Sequence, residues 1–280
     1  MQWGVVFLIL FAAALHASWN VLIKSESDSS TNTALIVAGS AIIGVVFLPF
    51  VPLPLRSCWP YLGASVVIHI IYFSVLLLAY KKGDMSLVYP LMRGLPPVLT
   101  AIAASIMLSE NLSWRGWLGI ALVSSGALML ATDFRFSKRF ILAPVALSLL
   151  NAIVIVIYTL VDAQGARLSG NAFSYTGWML LQLALFFFIA MTFIEGRQVF
   201  YRMAKDWKKS LIGGTCTFAS YGIALWAMTL SPVALVAALR ETSILFGTLF
   251  SVFFLKEHIT WIRGLSIVLI VAGAIAIKMS

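Results

Sequence analysis

Residues 86–100 read SLVYPLMRGLPPVLT and residues 233–247 read VALVAALRETSILFG. Each run is apolar apart from a few residues, and each carries an arginine at its eighth position, so that Arg93 and Arg240 stand 147 positions apart. An arginine at membrane depth costs about 3 kcal/mol even on the lenient insertion scale. Two of them in one register point to a shared polar cavity. In the first run Tyr89 lies one helical turn before Arg93 on the same face, and Pro96–Pro97 follows and disrupts the helix at depth. Each arginine lies about eight residues into its helix, roughly 12 Å at 1.5 Å per residue, which is near the middle of a ~30 Å hydrocarbon core.

The register extends outward from the arginines. At the same offset Glu110 matches Glu257, Trp114 matches Trp261, and Leu118, Ile120, Leu122, Gly126 and Ala127 match Leu265, Ile267, Leu269, Gly273 and Ala274. Near the start of each half, Asn20-x3-Lys24 parallels Tyr158-x3-Asp162 at a shorter offset. The 280 residues are 61% hydrophobic and 10% charged, with a mean hydropathy of +1.01, which excludes an ordinary soluble domain. Ten apolar spans are expected, at about 4–23, 33–50, 60–80, 85–109, 113–132, 140–161, 172–194, 209–230, 232–255 and 260–278. The fold class is an all-α polytopic membrane protein with two five-helix repeats, 1–135 and 136–280. Because five is odd, the second repeat enters the membrane inverted, and an inverted repeat with broken helices near the midplane is the signature of a secondary transporter.

The net charge of +9 would suggest nucleic acid in a soluble protein. Here the basic residues fall in short loops and act as topology signals. Lys24, Lys81, Lys82, Arg135, Lys138, Arg139, Arg197, Arg202, Lys205, Lys208, Lys209, Lys256 and Arg263 lie on one face, against Arg56, Arg115, Arg167 and Lys278 on the other. The rule that positive loops stay inside places both termini outside the cytoplasmic membrane. Cys58 and Cys216 match no metal or redox spacing and are read as packing residues.

PPVLTAIAASIMLSENLSWRGWLGIALVSSGALML at 96–130 and SILFGTLFSVFFLKEHITWIRGLSIVLIVAGAIAI at 243–277 share a small, apolar helix, a terminal glutamate, a short loop and a glycine-bearing helix. This pattern, with HASWNVLIK at 16–24 and YPLMRG at 89–94, resembles the drug/metabolite transporter superfamily, specifically its ten-helix EamA-type members. The resemblance covers essentially the whole chain. It implies a carrier of small metabolites, commonly an exporter, driven by an ion or substrate gradient. Many members are drawn with cytoplasmic termini, from which this chain's charge pattern departs. In the four-helix relatives of small multidrug resistance, an essential glutamate stands eight residues before a lysine in the first helix. His16 stands in that register before Lys24.

Arg93 and Arg240 suit a carboxylate or phosphoryl group, because the planar guanidinium fork matches two oxygens. The plainer alternative is a structural arginine that caps freed carbonyls or pairs with Glu241. Glu241, adjacent to Arg240, is placed to meet Arg93 or His16 across the cavity, to bind a substrate ammonium or to take a coupling proton. His16, Asn20 and Lys24 lie along one face of the first helix, and His16 is the histidine candidate for coupling, since histidine titrates near neutrality. Tyr89, Tyr158 and Tyr221 complete the candidate substrate site. Gly119 with Gly126, and Ser266 with Gly273, form small-residue stripes for packing between the halves or against a second copy. The expected partners are a small solute, the lipid bilayer and a coupling proton or ion, with no cofactor, metal or nucleic acid, in a monomer or homodimer. Two arginines against one deep glutamate favour an anionic or zwitterionic metabolite such as an amino acid, carboxylate or phosphonate. A lipophilic-cation exporter is the alternative. An intramembrane enzyme is the third reading, drawn on Ser65 and His69 at i, i+4 without a nucleophile elbow or zinc pair beside them.

Overall fold

The computed structural model describes residues 1–24, 29–83, 85–132, 142–196, 201, 205–255 and 260–280, with backbone only at 19–24, 29–34, 85–86, 132, 191, 194–195 and 251–255. Glu257, Lys256 and the basic loop residues Arg135, Lys138, Arg139, Arg197 and Arg202 lie outside the described residues, as do the side chains of Asn20 and Lys24.

The described chain is helical: α1 (Trp3–Lys24), α2 (Ser29–Phe47), α3 (Trp59–Lys82), α4 (Met85–Gly94), α5 (Pro96–Met107), α6 (Trp114–Met129), α7 (Leu142–Leu168), α8 (Ala172–Glu195), α9 (Trp207–Leu230), α10 (Val233–Arg240), α11 (Ser243–Leu255) and α12 (Trp261–Lys278). Among the described residues seven helical segments are long and apolar enough to cross a membrane, and shorter apolar helices cover Trp3–Ser18 and Leu35–Phe50. Large apolar side chains such as Phe7, Phe11, Ile106, Phe193 and Val268 lie on the outside, as a lipid-facing surface requires. Without a hydrophobic drive between helices in lipid, association relies on close backbone approach at small residues.

The α6–α12 contact shows how. A Cβ at Gly119 would lie 2.7 Å from the Gly273 carbonyl oxygen, and one at Gly126 would lie 2.9 Å from that of Ser266. The earlier residue of one helix meets the later residue of the other, so the two helices run antiparallel. Under the 147-residue register Gly119 corresponds to Ser266 and Gly126 to Gly273. Each contact is therefore the image of the other, and a local two-fold axis perpendicular to both helices exchanges them. That is the symmetry an inverted repeat demands, and it consumes inside the chain the stripes that the sequence also offered to a second copy. A second close approach joins α2 to α9, where Gly39 meets the backbone at Ser210 and Gly214 meets Gly39.

α3 packs along α7, and α4, α5 and α9 also contact α7. α7 therefore runs through the middle of the helix assembly, and its buried polar residues Asn151, Thr159 and Asp162 face protein.

Candidate functional site

Two of the expected spans are broken in the middle. The first break, at Leu95, separates α4 from α5, and the second, at Glu241 and Thr242, separates α10 from α11. Leu95 and Thr242 are 147 residues apart, so both spans break just after their arginines. The first break follows from the sequence: Pro96 and Pro97 have no N–H to donate to the carbonyls one turn back, at Met92 and Arg93. The second has neither proline nor glycine. Glu241 and Thr242 donate their N–H groups to Ala238 and Leu239 at 3.0 and 3.1 Å, and Ile244 and Leu245 donate to Glu241 and Thr242 at 3.0 and 2.9 Å. These i to i−3 bonds are a 3₁₀ stretch, the tightened form that marks hinges inside helices. The Thr242 hydroxyl also donates to the Leu239 carbonyl at 2.7 Å, a back-bond that bends helices.

The breaks bring charge together. Arg93 Nε lies 3.0 Å from Glu241 Oε2, with the side chains 11% and 8% exposed. The angle is that of an ion pair and not of a hydrogen bond, since neither atom has a hydrogen-bond partner by geometry. Arg93 Nη2 also donates to Ser243 Oγ at 3.5 Å, and Tyr89 interacts with the same guanidinium. Glu241 thus crosses to the other half and does not pair with its neighbour Arg240. The Arg240 guanidinium instead stands over the Tyr221 ring, 5.3 Å from its centre. Among the described residues no carboxylate lies within ion-pair distance of Arg240.

His16 sits on α1 within electrostatic reach of both arginines. Tyr158 reaches Arg93, Arg240 and Glu241 in the same way. Its ring stacks on His69 at 4.5 Å and meets Tyr72 edge-on at 5.6 Å. Ser65 Oγ is 3.2 Å from His69 Nδ1, and both residues are buried between helices. Of the sequence-derived candidates, Arg93, Arg240, Glu241, His16, Tyr89, Tyr158 and Tyr221 therefore surround one region, with Asn20 on the same helix as His16.

Asp162 was not among the candidates. It is fully buried, and its two oxygens accept hydroxyls from Tyr175 at 2.9 Å and from Tyr221. The Tyr158-x3-Asp162 spacing placed it one turn from Tyr158, but nothing in the sequence tied it to Tyr175 and Tyr221 on other helices.

A second charged knot lies at the end of α5. Ser109 takes a left-handed conformation (φ 52°) and so turns the chain after the helix. Glu110 Oε1 then accepts from Arg167 Nη2 at 2.8 Å and from the Val233 N–H at 3.0 Å. Arg167 Nε donates to the Met228 carbonyl at 3.0 Å. One carboxylate thus joins α5 and α7 to the start of α10, the half-helix whose far end carries Arg240. Beside this knot lies a cavity of about 430 Å³, bordered by Asn111, Ser113, Ser231, Leu235 and both chain ends, Met1 and Ser280.

Comparison with known proteins gives three results. A solved structure described only as "Crystal structure of protein" is similar to this chain with a TM-score of 0.75 at 18% identity, covering 99% of this chain and 98% of that one. At that identity the likeness shows the fold alone. No curated protein matches significantly. The family model described as "EamA-like transporter family" matches twice, over residues 3–132 and 142–279.

Proposed function

The chain belongs to the EamA-like transporter family, and from that premise we propose that it is a secondary-active exporter of a small anionic or zwitterionic metabolite. It is a multi-pass membrane protein of the transporter type, and the finer reading concerns its ten spans, solute and cycle. The ten spans enclose a midplane site whose walls are the two helix breaks, and alternating access comes from the half-helices α4 and α10 moving about those breaks. Both termini face outside, by the loop charges.

One observation carries the choice of solute. Arg93 is already neutralised by Glu241, whereas Arg240 keeps its donors unspent among the described residues and rests only on an aromatic face. A half-buried guanidinium with free donors is a receptor for a carboxylate or phosphonate, which it holds through two parallel hydrogen bonds. A lipophilic cation would meet Arg240 with the wrong sign of charge.

The test is thermal unfolding of the purified protein with alanine, succinate and methylphosphonate as probes. A ligand that binds the folded state stabilises it by mass action, about 2.7 kcal/mol at one hundred times its Kd. At least one probe stabilises the wild type, and Arg240→Gln removes that stabilisation while the unliganded protein stays folded. A response to every probe that is identical in Arg240→Gln ends this reading.

A further inference from the structure

We infer that Asp162 is the site of the driving cation, a proton or a sodium ion, and that Tyr221 links it to the solute arginine. Asp162 is fully buried, and among the described residues no lysine, arginine or histidine lies within ion-pair distance of it. A buried carboxylate is expensive unless a positive charge compensates it. The two tyrosine hydroxyls supply dipoles but no charge. Glu241, the other buried carboxylate among the described residues, has Arg93, and the partly buried Glu110 has Arg167. Asp162 is the described buried carboxylate left for a cation that the chain does not supply.

The surroundings set the class of that cation. The groups facing Asp162 are Tyr175 from α8, Tyr221 from α9 and Tyr158 on its own helix. Behind them stand Ser65 and Cys58, both beside Tyr175, and His69, whose ring meets Tyr158 and Tyr221. From α4 Arg93 is committed to Glu241, along α7 Arg167 is committed to Glu110, and α5 contributes no titratable side chain. From α10 Arg240 meets the Tyr221 ring that lies between the two charges. Carboxylate and hydroxyl oxygens are hard ligands, and a single negative charge balances a monovalent ion.

Tyr221 has two duties: its hydroxyl donates to Asp162 and its ring faces Arg240. A cation arriving at Asp162 competes with the Tyr221 hydroxyl for the carboxylate. When Tyr221 turns away, Arg240 loses its aromatic rest and turns its donors to the solute. Cation and anion then favour each other's binding, with a coupling of about tenfold. The other coupling candidates are less suited: Glu241 is occupied by Arg93, and two guanidiniums within reach repel a cation at His16. The cation site stands on Asp162 alone, while its link to the solute rests on the reading of Arg240 above.

The experiment therefore has one arm without any solute. Purified full-length protein is unfolded thermally in sodium and in potassium at equal ionic strength and pH, and the reconstituted protein is followed by pH-difference infrared spectroscopy. Sodium-specific stabilisation lost in Asp162→Asn assigns sodium. A carboxyl band lost in Asp162→Asn assigns the proton. No response in the wild type, an unchanged response in Asp162→Asn, or a response removed by His16→Gln in its place overturns the site. Tyr175→Phe keeps Asp162 and decides the matter should Asp162→Asn not fold: a shift of threefold or more in the half-saturating cation concentration supports the site, and no shift overturns it. In the second arm the cation raises the affinity for methylphosphonate or alanine about tenfold in the wild type and leaves it unchanged in Tyr221→Phe. Equal enhancement in both overturns the link. A cation response that persists while no probe binds leaves Asp162 in place and removes the solute reading instead.

Discussion

Replacing Arg93 with glutamine separates the structural work of the arginine from its part in transport. The substitution removes the partner 3.0 Å from Glu241 and leaves that carboxylate, 8% exposed, without its neutralising charge. Removing one member of a buried ion pair costs roughly 3–5 kcal/mol, most of it the penalty of the charge left behind. Arg240 is also within electrostatic reach of Glu241, which puts the expected loss at the lower end, about 3 kcal/mol. In Arg93→Gln/Glu241→Gln both charges are gone, so the double variant recovers to within about 1 kcal/mol of the wild type. The coupling between the two positions is then about 2 kcal/mol or more, well above the roughly 0.5 kcal/mol within which independent sites add. Denaturant unfolding of all four proteins measures the cycle, and flux into sealed vesicles measures transport. The double variant is as folded as the wild type and transports nothing. An Arg93→Gln single variant as stable as the wild type would show that the ion pair has no energetic role, and a double variant with full flux would remove Arg93 from the solute site.

Three further outcomes follow from the packing. Glu110→Ala removes the acceptor shared by Arg167 and the Val233 N–H and lowers stability by about 2–3 kcal/mol, the worth of a hydrogen bond to a charged group; a cysteine introduced at Ser231 is labelled faster in that background. Gly273→Leu drives a side chain into the Gly119 carbonyl, which a Cβ would approach to 2.7 Å; it costs about 3 kcal/mol, at the top of the usual range for overpacking, because backbone cannot yield, and denaturant unfolding reads it. Thr242→Val deletes the 2.7 Å back-bond to Leu239 at a cost in stability of about 1 kcal/mol, and slows transport several-fold by straightening the hinge; unchanged flux would show that the hydroxyl does not hold the bend.

Composition and register determined much of this protein without any coordinates. Hydropathy set the membrane class, and the 147-residue match of Arg93 with Arg240 and of Gly126 with Gly273 revealed the two halves. The Pro96–Pro97 pair marked the first break, because a missing N–H is a local property that the residue carries wherever it stands. The second break was not legible: it rests on i to i−3 bonds through Glu241 and Thr242, which helix-forming residues adopt only when their neighbours hold them. Partner choice was equally hidden. Glu241 could have served Arg240, Arg93 or His16, and only the approach of the second break to Arg93 decided between them. Asp162 shows the difference most plainly: its meaning depends on Tyr175 and Tyr221, which arrive from α8 and α9. Periodicity tells which residues share a face of one helix, but a buried charge is defined by what reaches it from other helices, and that is settled only when they pack.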